Sequence, residues 1–364
     1  MLRAVTIKLA SPELGAEESA AIARVLSSGM LVQGREVEAF ERALAERCAR
    51  AHAVVVSSGT AALELALRAL GVAGGEVIVP DLTWPSPAHA TLLAGATPVL
   101  VDVDPDEWNV RGDAITRARS SSTRAVIAID QFGAPARHDE IARAAGDAPI
   151  VEDAACAIGS TIEGRPCGAF GVVACLSFHP RKVITTGEGG ACLTDDASLA
   201  SELRTLRNHG QRTPGVFAYA GPNQRLTEMQ AAMGRVQLDR LDLIVAHRRA
   251  LADRYRATLP REVSPQRLAP RATRNEQTFG VVLPPRFDAE ARDRVIESLK
   301  REGIESGRLS YALHRLPSLD AARRSGEMPH ADAIVARGLA LPLHGAMSEA
   351  DVDRIVATLA RALD

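Results

Sequence analysis

The sequence predicts an α/β fold, with an open, mostly parallel sheet between layers of helices and a smaller α+β C-terminal domain. Three observations support this prediction. Short apolar segments alternate with helical segments from about residue 54 to residue 194. These apolar segments are rich in Val and Ile, which is typical of strands buried on both faces. Beyond residue 226 the alternation stops, and a long helical stretch leads to a proline-rich segment and a smaller mixed unit.

Each predicted element has a local signal in its hydrophobic period and its flanking residues. The predicted strands of the sheet are 54–56, 77–79, 98–102, 125–129, 150–153, 172–178 and 191–194. The predicted helices are 16–29, 35–50, 60–70, 86–94, 112–119, 138–145 and 226–258, followed by a strand over 278–283 and helices over 288–301 and 348–363. We expect a large domain over residues 1–245 and a small domain over residues 246–364.

Composition argues against several classes of protein. The formal net charge is −2 with no basic block, which gives no electrostatic case for nucleic acid or an anionic membrane. We expect no signal peptide and no membrane span, and therefore a cytoplasmic protein. Five widely spaced cysteines without a Cys-x-x-Cys motif predict reduced thiols, and nine scattered histidines show no ligand spacing, so no metal is predicted.

Lys182 is unusual because lysine is rare in this chain. Only Lys8, Lys182 and Lys300 are lysines among 43 basic residues. Lys182 follows a short apolar strand and precedes the glycine-rich segment 185–190. A lysine amine can lose its proton and form a Schiff base, whereas an arginine cannot. A solvated surface lysine is the alternative interpretation.

Three further signals lie at the carboxyl ends of predicted strands, where open α/β sheets bind ligands. Ser58, Gly59 and Thr60 lead directly into a helix, which suits a phosphate, although an ordinary N-cap is the alternative. Asp153 ends the strand 150–153 and is either a functional carboxylate or an N-cap. Trp84 is either a stacking surface or part of the core. A lysine, an acid, an anion site and a stacking surface together are what pyridoxal phosphate (PLP) requires.

Several motifs resemble those of the DegT/DnrJ/EryC1/StrS aminotransferase family, from about residue 8 to the end of the chain. These motifs are Ser58–Leu63, Glu152–Ala155, Ser177–Phe178 with Lys182, Thr185–Gly190, Gly221-x-Asn223-x-Arg225 and Gln230–Ala232. The resemblance implies a fold-type I PLP enzyme that works as a homodimer with shared active sites. No single motif is as specific as this combination.

The resemblance also implies roles for individual residues. Lys182 would bind PLP as a Schiff base, and Asp153 would pair with the pyridinium nitrogen. Trp84 would lie over the cofactor ring. The implied phosphate site contains Gly59, Thr60 and Ser177, with Ser58 beside them and Asn223 reaching in from the neighbouring subunit. Cys156 stands where relatives usually carry Gln or His in contact with the phenolic oxygen of the cofactor. Residues 130–133 likewise read Asp-Gln-Phe-Gly where relatives often carry His-x-Tyr-Gly.

The implied reaction moves an amino group from glutamate or glutamine to the keto group of a nucleotide-linked keto-sugar. It would follow a ping-pong aldimine/ketimine mechanism in amino-sugar biosynthesis for an antibiotic, another secondary metabolite or a surface polysaccharide. A keto-cyclitol or other cyclic ketone is an alternative acceptor. A PLP-dependent sugar dehydratase, in which His replaces the lysine, and a non-catalytic PLP-binding regulator are further alternatives. Arg308, Tyr311, His314 and His330 are candidates for acceptor contacts.

Overall fold

A computed structural model describes residues 7–363 of the chain. The helices are α1 Ala16–Ser28, α2 Arg35–Arg47, α3 Gly59–Ala69, α4 Ser86–Leu93, α5 Gly112–Ala118, α6 His138–Ala145, α7 Ala197–Leu206, α8 Glu228–Asp239, α9 Leu241–Thr258, α10 Ala289–Arg301, α11 Pro329–Arg337 and α12 Glu349–Leu363. Within residues 7–363, no helix combines the length and the apolar character needed to cross a membrane.

Two main sheets organise the described part of the chain. Their strands are β1 His52–Val56, β2 Glu76–Pro80, β3 Thr97–Val101, β4 Thr123–Ile129, β5 Ile150–Asp153, β6 Val173–Ser177, β7 Gly190–Thr194, β8 Ser264–Pro265, β9 Phe279–Val282, β10 Gly307–Arg308, β11 Arg323–Arg324 and β12 Gly338–Leu341. Short pairings also join Leu82–Thr83 to Tyr311–Ala312, Gln211–Thr213 to Val216–Phe217, and Thr161–Ile162 to both Arg165–Pro166 and Ala272–Thr273.

The large sheet has eight strands in the order β1-β7-β6-β5-β4-β2-β3-β11. Strand β7 runs antiparallel to its neighbours β1 and β6, and every other neighbouring pair is parallel. The predicted mostly parallel sheet is therefore confirmed. The small sheet has the order β8-β9-β12-β10 and is antiparallel throughout.

The large sheet is buried on both faces, as its Val-rich strands predict. Along β1, Val54 and Val56 pack into the core on one side of the sheet, and Val55 packs into the core on the other. This follows from the pleat, which sends successive side chains to opposite faces. Helix α3 lies against β6 and β7 and buries small residues such as Ala62 and Ala66, which allow the helix to approach the sheet closely.

The structure divides the predicted helix 226–258 into two helices that meet at Arg240. The first helix begins with a capping box, in which Thr227 and Gln230 exchange hydrogen bonds. The side chain of Arg240 contacts Glu18 at 2.9 Å. Leu241, the first residue of the second helix, packs into the same core as Val55 of β1. Helices α7 and α11 and strands β8, β10, β11 and β12 have no counterpart among the predicted elements.

The predicted division at residue 245 stays a prediction, and its outer ends at residues 1 and 364 lie outside the described residues. Helix α9 runs across that position without a break. Ile7 packs into the core formed mainly by residues 251–363 and forms a parallel bridge with Ile304. Strand β11 joins the edge of the large sheet. The described segments thus cross between the two predicted units in several places.

Candidate active site

The end of β1 and the start of α3 form the first part of the site. The hydroxyl of Ser58 accepts a hydrogen bond from the N–H of Ala61 at 3.1 Å, so Ser58 is the N-cap of α3. A Cβ atom at position 59 would lie 2.7 Å from the Cβ of Ser177, and only glycine fits there. The first N–H groups of a helix have no acceptor within the helix. Gly59 and Thr60 therefore present donors beside the Ser177 hydroxyl, in a setting that favours an anion.

Trp84 is exposed at the same edge of the sheet, so the core interpretation of this residue is wrong. Its side chain is 61% exposed and meets the ring of Tyr311 edge to face, with the ring centroids 5.4 Å apart. The hydroxyls of Thr60 and Ser86 lie 2.8 Å apart, which joins the start of α3 to the start of α4. Since Ser86 lies two residues after Trp84, this bond ties the segment that carries the indole to the start of α3.

The loop that carries Lys182 connects β6 to β7 and is closed by its own backbone. The N–H of Phe178 donates to the carbonyl of Gly189 at 2.8 Å, and the N–H of Thr186 donates to the carbonyl of Phe178 at 3.0 Å. A Cβ atom at position 190 would lie 2.4 Å from the carbonyl oxygen of Ser58. The glycine-rich sequence therefore lets the lysine loop pack directly against the start of α3.

Lys182, Asp153 and Cys156 come together at the carboxyl ends of β5 and β6. The side-chain nitrogen of Lys182 lies 3.1 Å from the sulfur of Cys156. Asp153 is buried, and its carboxylate accepts a hydrogen bond from the N–H of Ala155 at 3.1 Å. Burial raises the pKa of Asp153 to about 6, although the Ala155 N–H and the Lys182 charge both lower it. An acid that is costly to ionise therefore sits beside a lysine.

The neighbouring acid, Glu152, belongs to a different environment. Both of its carboxyl oxygens accept backbone N–H bonds at 2.7 Å, one from Gly168 and one from Phe170. Burial, and next the charge of Asp130, raise the pKa of Glu152, which favours its protonated form. Ligand atoms of Asp130, Glu152 and Cys167 lie within 4.8 Å of one another in the buried interior.

Asn275 is a buried residue at the site that sequence reasoning missed. Its amide nitrogen donates to the carbonyls of Cys156 and Ile158, both at 2.8 Å. It therefore fixes the turn that follows Asp153. Asn275 lies more than a hundred positions along the chain from Cys156, at the end of a proline-rich stretch that reads as a linker. No local signal in the sequence identifies it.

Asn223 is exposed, and its segment runs beside the end of β1 in the same chain. The N–H of Ser57 donates to the carbonyl of Gln224 at 2.9 Å, and Val56 forms a bridge with Arg225. This places the segment that carries Asn223 beside Ser57, which directly precedes the N-cap Ser58 of α3, in its own subunit. Its reach into a neighbouring subunit stays a prediction.

The four candidates for acceptor contacts are separated by the structure. Tyr311 adjoins Trp84, as described above. The other three are paired with carboxylates: Arg308 with Asp293 at 2.6 Å, His314 with Asp81 at 2.7 Å and His330 with Asp102 at 2.9 Å. Tyr311 is thus the one candidate of the four that contacts a predicted site residue.

The model of the DegT/DnrJ/EryC1/StrS aminotransferase family matches residues 12–360. The chain belongs to this family. A relative, the GDP-perosamine synthase of Caulobacter vibrioides, is 35% identical over 366 residues and covers 98% of both chains. A Streptococcus pneumoniae protein solved in its PMP form has a TM-score of 0.93 at 27% identity, covering 98% of this chain and 97% of its own. DesI, solved in the presence of its TDP-sugar product, has a TM-score of 0.91 at 30% identity, covering 100% and 94%.

Membership of the DegT/DnrJ/EryC1/StrS family confirms the predicted enzyme class, a PLP-dependent aminotransferase, and the predicted fold-type I architecture. The residues present fit this cofactor. The space between Gly59 and Ser177, called here the Gly59–Ser177 cradle, would be filled by a Cβ atom at position 59. It lies beside the Ser177 hydroxyl and the N-terminus of α3. A buried carboxyl, which can serve as the pyridinium partner, lies within the electrostatic influence of the lysine. An exposed indole lies near the same strand ends.

Proposed function

We propose that this family member transfers an amino group from glutamate or glutamine to the keto group of a nucleotide-linked keto-sugar. The observation that carries the proposal is the buried Asp153 carboxyl beside Lys182, at the strand ends that also present the Gly59–Ser177 cradle. The names of two relatives, GDP-perosamine synthase and a protein solved with its TDP-sugar product, support a nucleotide sugar as the acceptor.

When bound, PLP supplies an electron sink for the negative charge that develops at the substrate's Cα. Lys182 would take the proton from that Cα and return a proton at C4′ of the cofactor. Asp153 would keep the proton on the ring nitrogen. Because water is excluded around this carboxyl, its interaction with a cationic ring is stronger than the same contact would be in solvent. A ring cation would in turn favour the ionised form of Asp153.

The proposed cofactor contacts follow the same geometry. The N–H groups of Gly59 and Thr60 and the hydroxyl of Ser177 would bind the phosphate, whereas the Ser58 hydroxyl is already engaged as the N-cap. Trp84 would cover the cofactor ring, and Cys156 would lie beside the phenolic oxygen of the cofactor.

A homodimer is part of the proposal, with Asn223 reaching the phosphate of the partner's site. Large apolar side chains exposed on the surface support a protein partner, among them Leu26, Met30, Val32 and Phe217. Sedimentation of the purified full chain tests this part, and a monomer at micromolar concentration would contradict it.

The function is tested with the PLP-loaded enzyme in two half-reactions. Glutamate alone should convert the cofactor to its amine form, which absorbance reports. A nucleotide-linked 4-keto-6-deoxysugar should then be aminated, which mass spectrometry of the product reports, whereas a keto-inositol should not. Lys182→Ala should abolish both steps. Lys300→Ala, which removes an exposed lysine at the end of α10, is the matched control and should have no effect.

Three outcomes would contradict the proposal. Normal amino transfer by Lys182→Ala would rule out the role of that lysine. Amination of the keto-inositol in place of the keto-sugar would favour a cyclic ketone as the acceptor. A PLP-loaded enzyme that does not react with glutamate or glutamine would favour a regulator.

A further inference from the structure

Cys156 differs from the other four cysteines of the chain in its exposure to solvent. Cys48, Cys167, Cys175 and Cys192 are buried, whereas Cys156 is half-buried. Burial also raises the pKa of the Cys48 thiol to about 12 and raises the pKa values of Cys167 and Cys175. Because the thiolate is the reactive form, these buried thiols are protected against oxidation. Cys156 is the thiol of this chain that a dissolved oxidant can reach.

The sulfur of Cys156 lies 3.1 Å from the side-chain nitrogen of Lys182. One short segment holds the backbones of both residues. Asn275 donates to the carbonyl of Cys156 at 2.8 Å, and Gln277, two residues later, donates to the carbonyl of Arg181 at 2.8 Å. The N–H of Gln277 also donates to the Asn275 side chain at 3.0 Å, which connects the two contacts. The sulfur–nitrogen approach is therefore supported on both sides by the fold.

We propose that Cys156 and Lys182 form a reversible, redox-sensitive covalent link. A hydroperoxide transfers one oxygen to the Cys156 thiol, giving a sulfenic acid and releasing water or an alcohol. The neutral Lys182 amine then attacks the sulfur, an S–N bond forms, and a second water leaves with the sulfenic oxygen. The cysteine sulfur is oxidised by two electrons and the hydroperoxide is reduced by two. A thiol reductant reverses the link by attacking the sulfur and releasing the lysine amine.

This link would make the enzyme sensitive to oxidants only in certain states. While PLP holds the Lys182 nitrogen, that nitrogen cannot attack the sulfur. When the cofactor is absent, or has been converted to its amine form, the nitrogen is available. This state dependence rests on the proposed function of Lys182, whereas the link itself rests only on the contact with Cys156. The two parts can therefore fail separately.

The test treats the cofactor-free full chain with hydrogen peroxide and digests it with a glutamate-specific protease. Cys156 is released in peptide 153–163 and Lys182 in peptide 164–188. We expect a linked pair of these peptides that is lighter by two hydrogen atoms than their sum and that dithiothreitol separates. Cys156→Ser and Lys182→Arg should each abolish the link, while Cys192→Ser, which alters a buried thiol, should preserve it. Circular dichroism checks that the variants fold.

PLP-loaded enzyme should form at least tenfold less of the linked pair, and added glutamate should restore it. If the cofactor-free chain shows Cys156 only as sulfinic or sulfonic acid, with no linked peptides, the proposed link is wrong. If the link forms equally with and without PLP, the contact is correct and the proposed function of Lys182 is contradicted instead.

Discussion

Replacing Asp153 with asparagine should stabilise the cofactor-free protein while it disables the enzyme. The carboxyl is buried, and its pKa rises from an ordinary value of 3.8 to about 6. A pKa that is higher in the folded state means that the folded chain binds the proton more tightly than the unfolded chain. The free energy of unfolding therefore falls as the pH rises from about 4 to about 6, and the loss persists above that range.

The size of the effect follows from the same two values. A rise in pKa from 3.8 to about 6 corresponds to about 3 kcal/mol at neutral pH. Asparagine keeps the shape of the side chain and an oxygen that can accept the Ala155 N–H, but it has no charge to bury. We therefore expect Asp153→Asn to gain up to about 3 kcal/mol at about pH 8 and almost nothing at about pH 4.

The assay is urea unfolding of the cofactor-free full chain at both pH values, with Asp147→Asn as an exposed matched control. Only the Asp153 variant should show a gain that depends on pH. An equal or lower unfolding free energy for Asp153→Asn at the higher pH would refute the reasoning. In the PLP-loaded state we expect the same variant to lose amino transfer, because asparagine cannot hold the ring nitrogen in its protonated form.

Three other substitutions test separate parts of the structure. Gly59→Ala places a methyl group 2.7 Å from the Ser177 Cβ; we expect a loss of about 1–3 kcal/mol in unfolding free energy and weaker PLP binding, measured by thermal unfolding and by titration. Arg207→Gln breaks the buried contact with Glu41 at 2.6 Å and should cost about 3–5 kcal/mol in urea unfolding. Trp84→Ala should leave the unfolding free energy nearly unchanged because the ring is exposed, but should raise the Kd for PLP about two- to tenfold.

The sequence predicts seven of the eight strands of the large sheet to within a few residues because their signal is local, and it misses only the edge strand β11. Buried strands such as β1 and β4 carry their apolar character in consecutive residues. Lys182 could be singled out for a different reason, since it is one of three lysines in a chain that otherwise uses arginine. Composition and local pattern pointed to a mostly parallel sheet and to the features that PLP requires, and the resemblance to the family motifs implied the fold-type I architecture.

The long-range contacts that hold the site residues in place could not be predicted from local patterns. Asn275 and Gln277 contact the site from a proline-rich segment whose composition indicates only a linker. The hydroxyl of Ser86, at the start of α4, is hydrogen-bonded to that of Thr60. The two residues are too far apart in the sequence for hydrophobic periodicity to predict this contact. Such contacts depend on how the chain packs, and a single hydroxyl or amide carries no local signal of its partner.

The adjacent acids Glu152 and Asp153 show how the fold gives two similar residues different tasks. The pleat of β5 sends successive side chains to opposite faces of the sheet. Glu152 therefore meets the N–H groups of Gly168 and Phe170 on one side, and Asp153 meets Lys182 on the other. Both carboxyls are costly to ionise where they lie, but only Asp153 feels the charge of Lys182. A shift of one residue in the register of β5 would exchange the two positions, so the register of this strand, more than its composition, decides which acid can serve the cofactor.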